Sequence, residues 1–401
     1  MKKSFEFIDR VIEAGIYLFV FFMFLTKGEG VRNILIFGNF GLWLLTLKYR
    51  KNLNLLKNPV STLFWLTIGV SVFSVFFSIN PLYSFLELRD EPLKSAMLFP
   101  VIATVMADER RLYRASHVMF FTSVLMVLVG YYSYFMHDIP VLKPDTWLMH
   151  AWHNKFARYL CTFLPFAFIL YFVWKNTILK IFFSISFAAF VIALILSTSR
   201  GGYVAFFSMA CVWAVYLSRV RGFNLKKAFI NIILSIFILG ALSWSLFPPV
   251  RERMSKLPEQ LSTINQRTHA WLPAIDAFKE KPLSGWGYGN RIFHQDEPYK
   301  ETDYKKAPPI GPENTFIKIM FHQGIIGLIP YIVLILVAIR EFWRNTTARS
   351  GIKDYILVAC VSVLVGNYIL HSMLAVLYMP HLAVVLAFGI AATGVNEDSR
   401  H

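Results

Sequence analysis

The sequence predicts an all-α protein that crosses a membrane many times. Of its 401 residues, 56% are hydrophobic and only 16% are charged, whereas a soluble domain has about 45–50% apolar and about 25% charged residues. Apolar runs of about 17–22 residues recur along the chain, which is the helix length needed to cross a hydrocarbon core about 30 Å thick. The strands of a membrane barrel would instead give segments of about 10 residues with alternating hydrophobicity.

The apolar runs predict about twelve transmembrane helices. They centre on residues 11–27, 33–47, 60–79, 93–107, 116–136, 155–174, 179–197, 202–217, 229–247, 324–340, 355–375 and 378–395. The chain is therefore expected to have three parts: 1–247 with nine helices, 248–323 as one large loop domain, and 324–401 with three helices and a short tail.

The net charge of +16, from 40 basic and 24 acidic residues, has a topological explanation. In a soluble protein it would indicate a nucleic-acid partner. Here every alternate loop is basic, as expected for loops on the cytoplasmic side of a membrane. The pattern predicts that both termini lie in the cytoplasm and the loop domain on the outer side. It also predicts membrane lipids, and no nucleic acid, as partners.

The loop domain is the one long polar segment, from Pro248 to about His322. Charges on the outer side are not needed to set the topology. We therefore expect any chemistry where this segment meets the membrane.

Two arginines on the outer side are candidate catalytic residues. Arg200 lies in the sequence Thr-Ser-Arg-Gly-Gly at 198–202, between two spans, and Arg267 lies on a loop helix near Trp271. A guanidinium group matches phosphate oxygens with two parallel hydrogen bonds. The alternatives are an interfacial arginine at Arg200, with its head group in water, and a solvated loop residue at Arg267.

Glu313 and Asn314 are expected at the start of a helix that leads into the tenth span. Glu313 is a candidate general base at the membrane surface. Alternatively, it is a capping acid, because the helix dipole favours a carboxylate at this end.

Further outer-side residues are candidates for substrate binding. Lys155 and Arg158 share one helix face and could reach a lipid headgroup or a pyrophosphate, and Lys94 is a candidate of the same kind. The alternative for all three is interfacial anchoring. Trp271 and Trp286 offer flat faces for sugar rings, or anchor the loop at the interface.

No metal or cofactor is expected. The sequence has no cluster with metal-ligand spacing, no phosphate-binding loop and no dinucleotide-binding turn after a strand. All three cysteines lie inside apolar runs, so no disulfide framework is implied.

Several of these motifs resemble those of the O-antigen ligase and polymerase superfamily of bacterial envelope synthesis. The sequence at 198–202 matches the family's arginine-bearing turn. Arg267, then Trp271, then Pro-Leu-Ser-Gly-Trp-Gly at 282–287 is similar to the family's loop pattern. The segment at 153–157 is similar to the Asn-X-X-Ala start of a middle span in the family. The architecture, about twelve spans with one large late periplasmic loop, is similar as well and implies a GT-C-like glycosyltransferase.

The end of the loop both matches the family and departs from it. Glu313-Asn314, followed by Gly324 to Leu328, falls where the family has His-Asn leading to Gly-X-X-Gly-Leu. The family's catalytic histidine is therefore replaced by Glu313 in this chain. A carboxylate can serve as a general base. Alternatively, another histidine takes over the role: His269, His294 or His322.

The resemblance implies an O-antigen ligase in the bacterial inner membrane with a periplasmic active site. Such an enzyme moves a polysaccharide from undecaprenyl pyrophosphate to a sugar hydroxyl of lipid A–core, by metal-independent displacement with inversion. Arg200 and Arg267 would stabilise the leaving pyrophosphate, Glu313 would accept the proton, and the substrate-binding set would be Lys94, Arg158, Asn314, Trp271 and Trp286.

Three alternatives stay open at this point. An O-antigen polymerase and a protein O-oligosaccharyltransferase would use the same donor and differ in the acceptor. A transporter of lipid-linked sugar would need cations deep in several spans, whereas most Lys and Arg residues lie at span ends.

Overall fold

A computed structural model of the chain describes residues 2–25, 28–137, 141–147, 149–246, 248–255, 262–289, 314–347, 351–370 and 379–395. These residues form helices and connecting turns. Their only β-type pairing is an isolated bridge between Asp145 and His150. The predicted all-α class is confirmed.

Fifteen α-helices lie in the described part of the chain. They are α1 Lys2–Phe22, α2 Glu29–Thr46, α3 Pro59–Ser74, α4 Pro81–Leu88, α5 Lys94–Val105, α6 Glu109–Met136, α7 His153–Val173, α8 Thr177–Leu196, α9 Arg200–Arg221, α10 Leu225–Leu246, α11 Pro248–Ser255, α12 Ser262–Glu280, α13 Thr315–Arg344, α14 Ile352–Val363 and α15 Met379–Thr393. Two π-helical segments, Arg89–Leu93 and Leu364–Leu370, continue α4 and α14.

Eight of the helical segments in the described residues are long and apolar enough to cross a membrane. They coincide with eight of the twelve predicted spans, so the polytopic membrane character is confirmed. Two of the remaining four predicted spans fall on α1 and α10, and two fall on the short helices α5 and α15. The full count of twelve stays a prediction.

The short helices α5 and α15 pack against each other in the core. Almost every residue of α15 is buried by protein. The helix α5 has 12 residues, which at about 1.5 Å per residue is too short to cross a hydrocarbon core about 30 Å thick.

A buried ion-pair network ties α1 to two later segments. Asp9 pairs with Arg50 at 2.9 Å and with Arg111 at 2.6 Å, while Glu13 pairs with Arg111 at 3.2 Å and Arg114 at 3.0 Å. The three arginines belong to basic loops that the charge pattern predicts on the cytoplasmic side. Their contacts are consistent with the predicted alternation of loops, and the absolute orientation stays a prediction.

Candidate active site

The helix α13 is interrupted at Gly324, where the backbone takes φ 63° and ψ −161°. A β-carbon at this left-handed position would meet the Leu283 carbonyl, which leaves glycine as the residue that fits. A helix break leaves backbone N–H groups and carbonyls on either side without their regular helical partners. Two N–H groups and two carbonyls at this break bond outside the helix, as expected because buried backbone polar groups are nearly always paired.

The turn after α12 supplies all four partners. The N–H groups of Ile325 and Ile326 donate to the carbonyls of Pro282 and Leu283, at 2.9 and 3.3 Å. In return, the carbonyls before the break accept from the turn: Phe321 from Trp286 N–H at 3.0 Å, and His322 from Gly287 N–H at 2.9 Å. The two glycine-rich motifs of the sequence therefore form one structural unit.

Close contact between the two backbones requires a second glycine. Gly285 has φ 66°, and a β-carbon there would lie 2.5 Å from the carbonyl carbon of His322. The indole of Trp286 then fastens the turn to α12, because its Nε1–H donates to the Ala277 carbonyl at 2.8 Å. The loop domain is thus anchored to α13 at the predicted outer end of the protein.

A cavity of about 660 Å³, including its open mouth, lies beside this unit. Its polar walls carry Glu87, Glu91, Tyr288, Lys318, His322 and Gln323. Apolar side chains from α13 and α15 complete it, among them Ile319, Met379 and Leu382. A cavity with apolar walls and a few convergent polar groups is the usual form of a ligand site.

Both π-helical segments contribute to this cavity. Glu91 lies in the first segment and Tyr368 in the second. A π-helical turn widens a helix locally, and such turns are frequent at functional sites. Here each one directs a polar side chain towards a shared space.

The acidic wall of the cavity contacts the loop domain directly. The hydroxyl of Tyr288 donates to Glu91 Oε2 at 3.1 Å. Burial raises the pKa of the Glu91 carboxyl above its ordinary value, while the charge of Lys318 and the hydrogen bond from Tyr288 pull that pKa down. The charge of Arg158 also acts on Glu91, more weakly. The cavity therefore combines acids, cations and hydroxyl groups. The described residues hold no group of three His, Cys, Asp or Glu side chains suited to a metal ion.

Arg200 is the first residue of α9 and is exposed. It follows a strained turn, since the β-branched Thr198 has φ 53°. The hydroxyl of Ser199 donates to Asn154 Oδ1 at 2.8 Å, and α7 and α9 pack together. The arginine-bearing turn therefore lies beside the α7 start that carries Arg158.

Arg158 and Lys94 are both buried on the predicted outer side. The Arg158 guanidinium carbon lies 5.6 Å from the centre of the Tyr159 ring, a cation–π distance. Lys94 Nζ lies 3.5 Å from Asp90 Oδ1. Of these two predicted cations, Arg158 acts electrostatically on the cavity.

The remaining predicted residues lie on the loop domain or next to it. The α12 backbone includes Arg267, whose side chain lies outside the description, and Trp271, which is half-buried. One face of the Trp286 ring lies 4.1 Å from Lys281 Nζ, so this indole packs within the turn, and its contact with a sugar stays a prediction. Asn314 caps α13 by accepting from the N–H groups of Phe316 and Ile317, whereas Glu313 lies outside the described residues.

Residues 185–332 match the family model described as O-antigen ligase. The chain is also 25% identical over 296 residues to an O-antigen ligase from Salmonella typhimurium strain LT2, with 71% of each chain covered. These comparisons confirm the resemblance predicted from the sequence. They support a function of the O-antigen ligase type in general, and with the apolar helices they fit a multi-pass protein of the bacterial inner membrane.

The region matched to O-antigen ligases includes the two glycine motifs and several cavity residues, among them Tyr288, Lys318 and His322. Glu87 and Glu91 come from outside the matched region, and sequence reasoning missed both. Their four-residue spacing in an outer segment places two carboxylates on one helix face, which is the signal that could have identified them. Lys318 was missed because one lysine near a span end resembles an interfacial anchor.

Proposed function

We propose that the chain is an O-antigen ligase that transfers a polysaccharide from undecaprenyl pyrophosphate to a sugar hydroxyl of lipid A–core. The reaction takes place on the periplasmic side of the inner membrane, without a metal ion. The cavity supports this proposal, because it places acidic, cationic and hydroxyl groups beside apolar helices. A polar sugar and a lipid chain could therefore reach the same place.

The chemistry requires one displacement. The acceptor hydroxyl oxygen forms a bond to the anomeric carbon, and the bond from that carbon to the pyrophosphate oxygen breaks, with inversion. Negative charge develops on the leaving undecaprenyl pyrophosphate, so cations that meet it stabilise the transition state. We assign this role to Arg200 and Arg267, with help from Arg158 and Lys94.

The acceptor hydroxyl must also lose its proton during the displacement. Glu313, at the position of the family's histidine, is the candidate for this step that the resemblance suggests. Asn314 would hold the start of α13 in place, and Trp271 and Trp286 would contact sugar rings.

Complementation tests the proposal. The chain is expressed in a Gram-negative strain that lacks its own ligase but makes the donor and a matched core, and lipopolysaccharide is examined on a gel. A restored ladder of capped lipid A–core is the expected result. Good membrane expression without capping would contradict ligation. The same gel in a polymerase-deficient strain would then show whether single repeats lengthen, which is the outcome for a polymerase.

A further inference from the structure

His322 is held by the unit that joins the two glycine motifs. It lies two residues before the break at Gly324, and its own carbonyl accepts from Gly287 N–H. Its side chain is buried, with 4% of its surface exposed, and lines the cavity with Lys318 one helical turn earlier. The backbone break thus fixes the position of an imidazole in the cavity wall.

One hydrogen bond determines the tautomer of the neutral ring. Nδ1 of His322 lies 2.8 Å from the Gly287 carbonyl oxygen. A carbonyl oxygen only accepts hydrogen bonds, so Nδ1 must carry the proton. In the neutral imidazole, Nε2 is then the nitrogen with a free lone pair. A second group that orients a histidine in this way is the usual arrangement of a general base.

The groups around His322 suit a sugar hydroxyl. Tyr288 follows Gly287 directly, and its hydroxyl donates to Glu91 across the cavity. The Glu91 carboxyl group and the oxygen of the Tyr288 phenol can accept hydrogen bonds from the hydroxyl groups of a sugar. Lys318 adds a cation on the same wall.

We infer that His322, through Nε2, is the general base that takes the proton from the acceptor sugar hydroxyl. This inference rests on the proposed function and names the base of that same site. As the acceptor oxygen bonds to the anomeric carbon, its proton passes to Nε2, and the bonding pair of the broken bond leaves with undecaprenyl pyrophosphate. Glu91 and Tyr288 position the sugar by accepting from its neighbouring hydroxyl groups. Glu313 is then not the base.

Two substitutions of His322 separate catalysis from structure. Asparagine places an N–H donor near the position of Nδ1, so His322→Asn keeps the bond to Gly287 and loses the base. Glutamine places its amide near Nε2, so His322→Gln loses both the base and the Nδ1 bond. Each variant, purified as the full chain in nanodiscs, is assayed for transfer from undecaprenyl-pyrophosphate glycan to lipid A–core. The controls are the wild type and His137→Asn, a substitution at an exposed histidine. Melting temperature and binding of undecaprenyl pyrophosphate are measured in parallel.

We expect His322→Asn to bind undecaprenyl pyrophosphate and melt like wild type, and to lose transfer by about 100-fold or more, as for the loss of a general base. His137→Asn should transfer like the wild type. Near-normal transfer by a folded His322→Asn or His322→Gln would overturn the inference and leave the ligase proposal standing. A wild-type chain that transfers nothing would overturn the ligase proposal itself.

If both variants misfold, carbethoxylation of histidines in the wild type tests whether His322 is the base. Modification of His322, mapped by mass spectrometry, should accompany loss of transfer and be blocked by lipid A–core. Full transfer by protein in which His322 is modified would overturn the inference.

Discussion

Arg200 begins α9 directly after the strained residue Thr198. A residue held at an unfavourable backbone angle needs support from its surroundings, and such residues cluster at functional sites. The turn presents the guanidinium at a helix N-terminus, where both the charge and the backbone N–H groups favour an anion. This geometry suits a pyrophosphate.

Arg200→Ala should therefore reduce transfer by about 100- to 1,000-fold, the usual effect of removing one donor that stabilises transition-state charge. Expression should be unchanged, because the side chain is exposed. The matched control is Arg219→Ala, an exposed arginine in the last turn of the same helix. Capping of lipid A–core in a ligase-deficient strain is the measurement, and near wild-type capping by Arg200→Ala would remove it from the site.

Glu91 should make the stability of the protein fall as pH rises. Because its folded pKa is raised by burial, the folded chain keeps a proton that the unfolded chain has already lost above about pH 4.3. Stability therefore decreases between that value and the raised folded pKa.

Thermal unfolding in detergent tests whether the stability of the protein falls as pH rises. Between about pH 5 and about pH 8, the melting temperature of the wild type should fall further than that of Glu91→Gln. The control is Glu280→Gln at an exposed glutamate, which should follow the wild type. Parallel curves for wild type and Glu91→Gln would show that Glu91 is not the group responsible.

At the scale of one element, the helix α13 acts as two helices joined by the break at Gly324. The first part carries Lys318 and His322, and the second part coincides with the predicted tenth span. The turn at 282–289 provides hydrogen-bond partners for the backbone groups at the break. A change that destabilises the cavity wall should therefore also destabilise the loop domain.

Gly324→Ala should disturb both the cavity wall and the anchoring of the loop domain, because alanine is strained at a positive φ and would clash with the Leu283 carbonyl. The strain alone costs about 1–3 kcal/mol. The comparison is Gly69→Ala in α3, where a β-carbon meets nothing within 4 Å and should be neutral or stabilising. Limited proteolysis between α12 and α13, with melting temperature, should show a loosened loop in Gly324→Ala alone. Equal behaviour of the two variants would argue against a coupled unit.

At the scale of the whole molecule, the ion network at the predicted cytoplasmic end holds α1 against the rest of the bundle. Asp9→Asn would leave Arg50, whose side chain is 4% exposed, short of its compensating charge. Breaking a buried pair in this way costs about 3–5 kcal/mol. The exposed pair of Asp276 with Lys279 gives the control, because Asp276→Asn should cost about 1 kcal/mol or less. Thermal unfolding in detergent would measure both, and equal shifts would contradict the role of the network.

The predicted orientation is also a property of the whole chain. Leu283, in the turn before α13, is 64% exposed, and Phe223, between α9 and α10, is 53% exposed. With a periplasmic loop domain, an impermeant maleimide added to intact spheroplasts should label Leu283→Cys, and label Phe223→Cys only after the membrane is opened. The native cysteines Cys161 and Cys360 are buried, whereas Cys211 is partly exposed, so Cys211 is first replaced by alanine and that parent chain gives the background. The reverse labelling pattern would invert the topology.

Hydropathy alone predicted the helical class and eight of the membrane-length helices, because a backbone in lipid must satisfy its own hydrogen bonds within each segment. Residue types also predicted the turn at 282–287 and the start of α13 near Asn314, since glycine and asparagine favour turns and helix ends through their own backbone conformation and hydrogen bonds. These are properties that each segment carries by itself.

Only the tertiary structure determined which segments meet. Glu91, Tyr288 and His322 lie far apart in sequence and line one cavity, while the predicted tryptophan Trp286 proved to hold the turn against α12. No periodic pattern in the sequence predicts this contact, because it depends on how α4, α13 and α15 pack. It also depends on the four backbone hydrogen bonds between the turn after α12 and the break in α13. The sequence by itself determined a membrane-spanning helical chain with a polar outer loop, and packing determined which of its polar residues face one another.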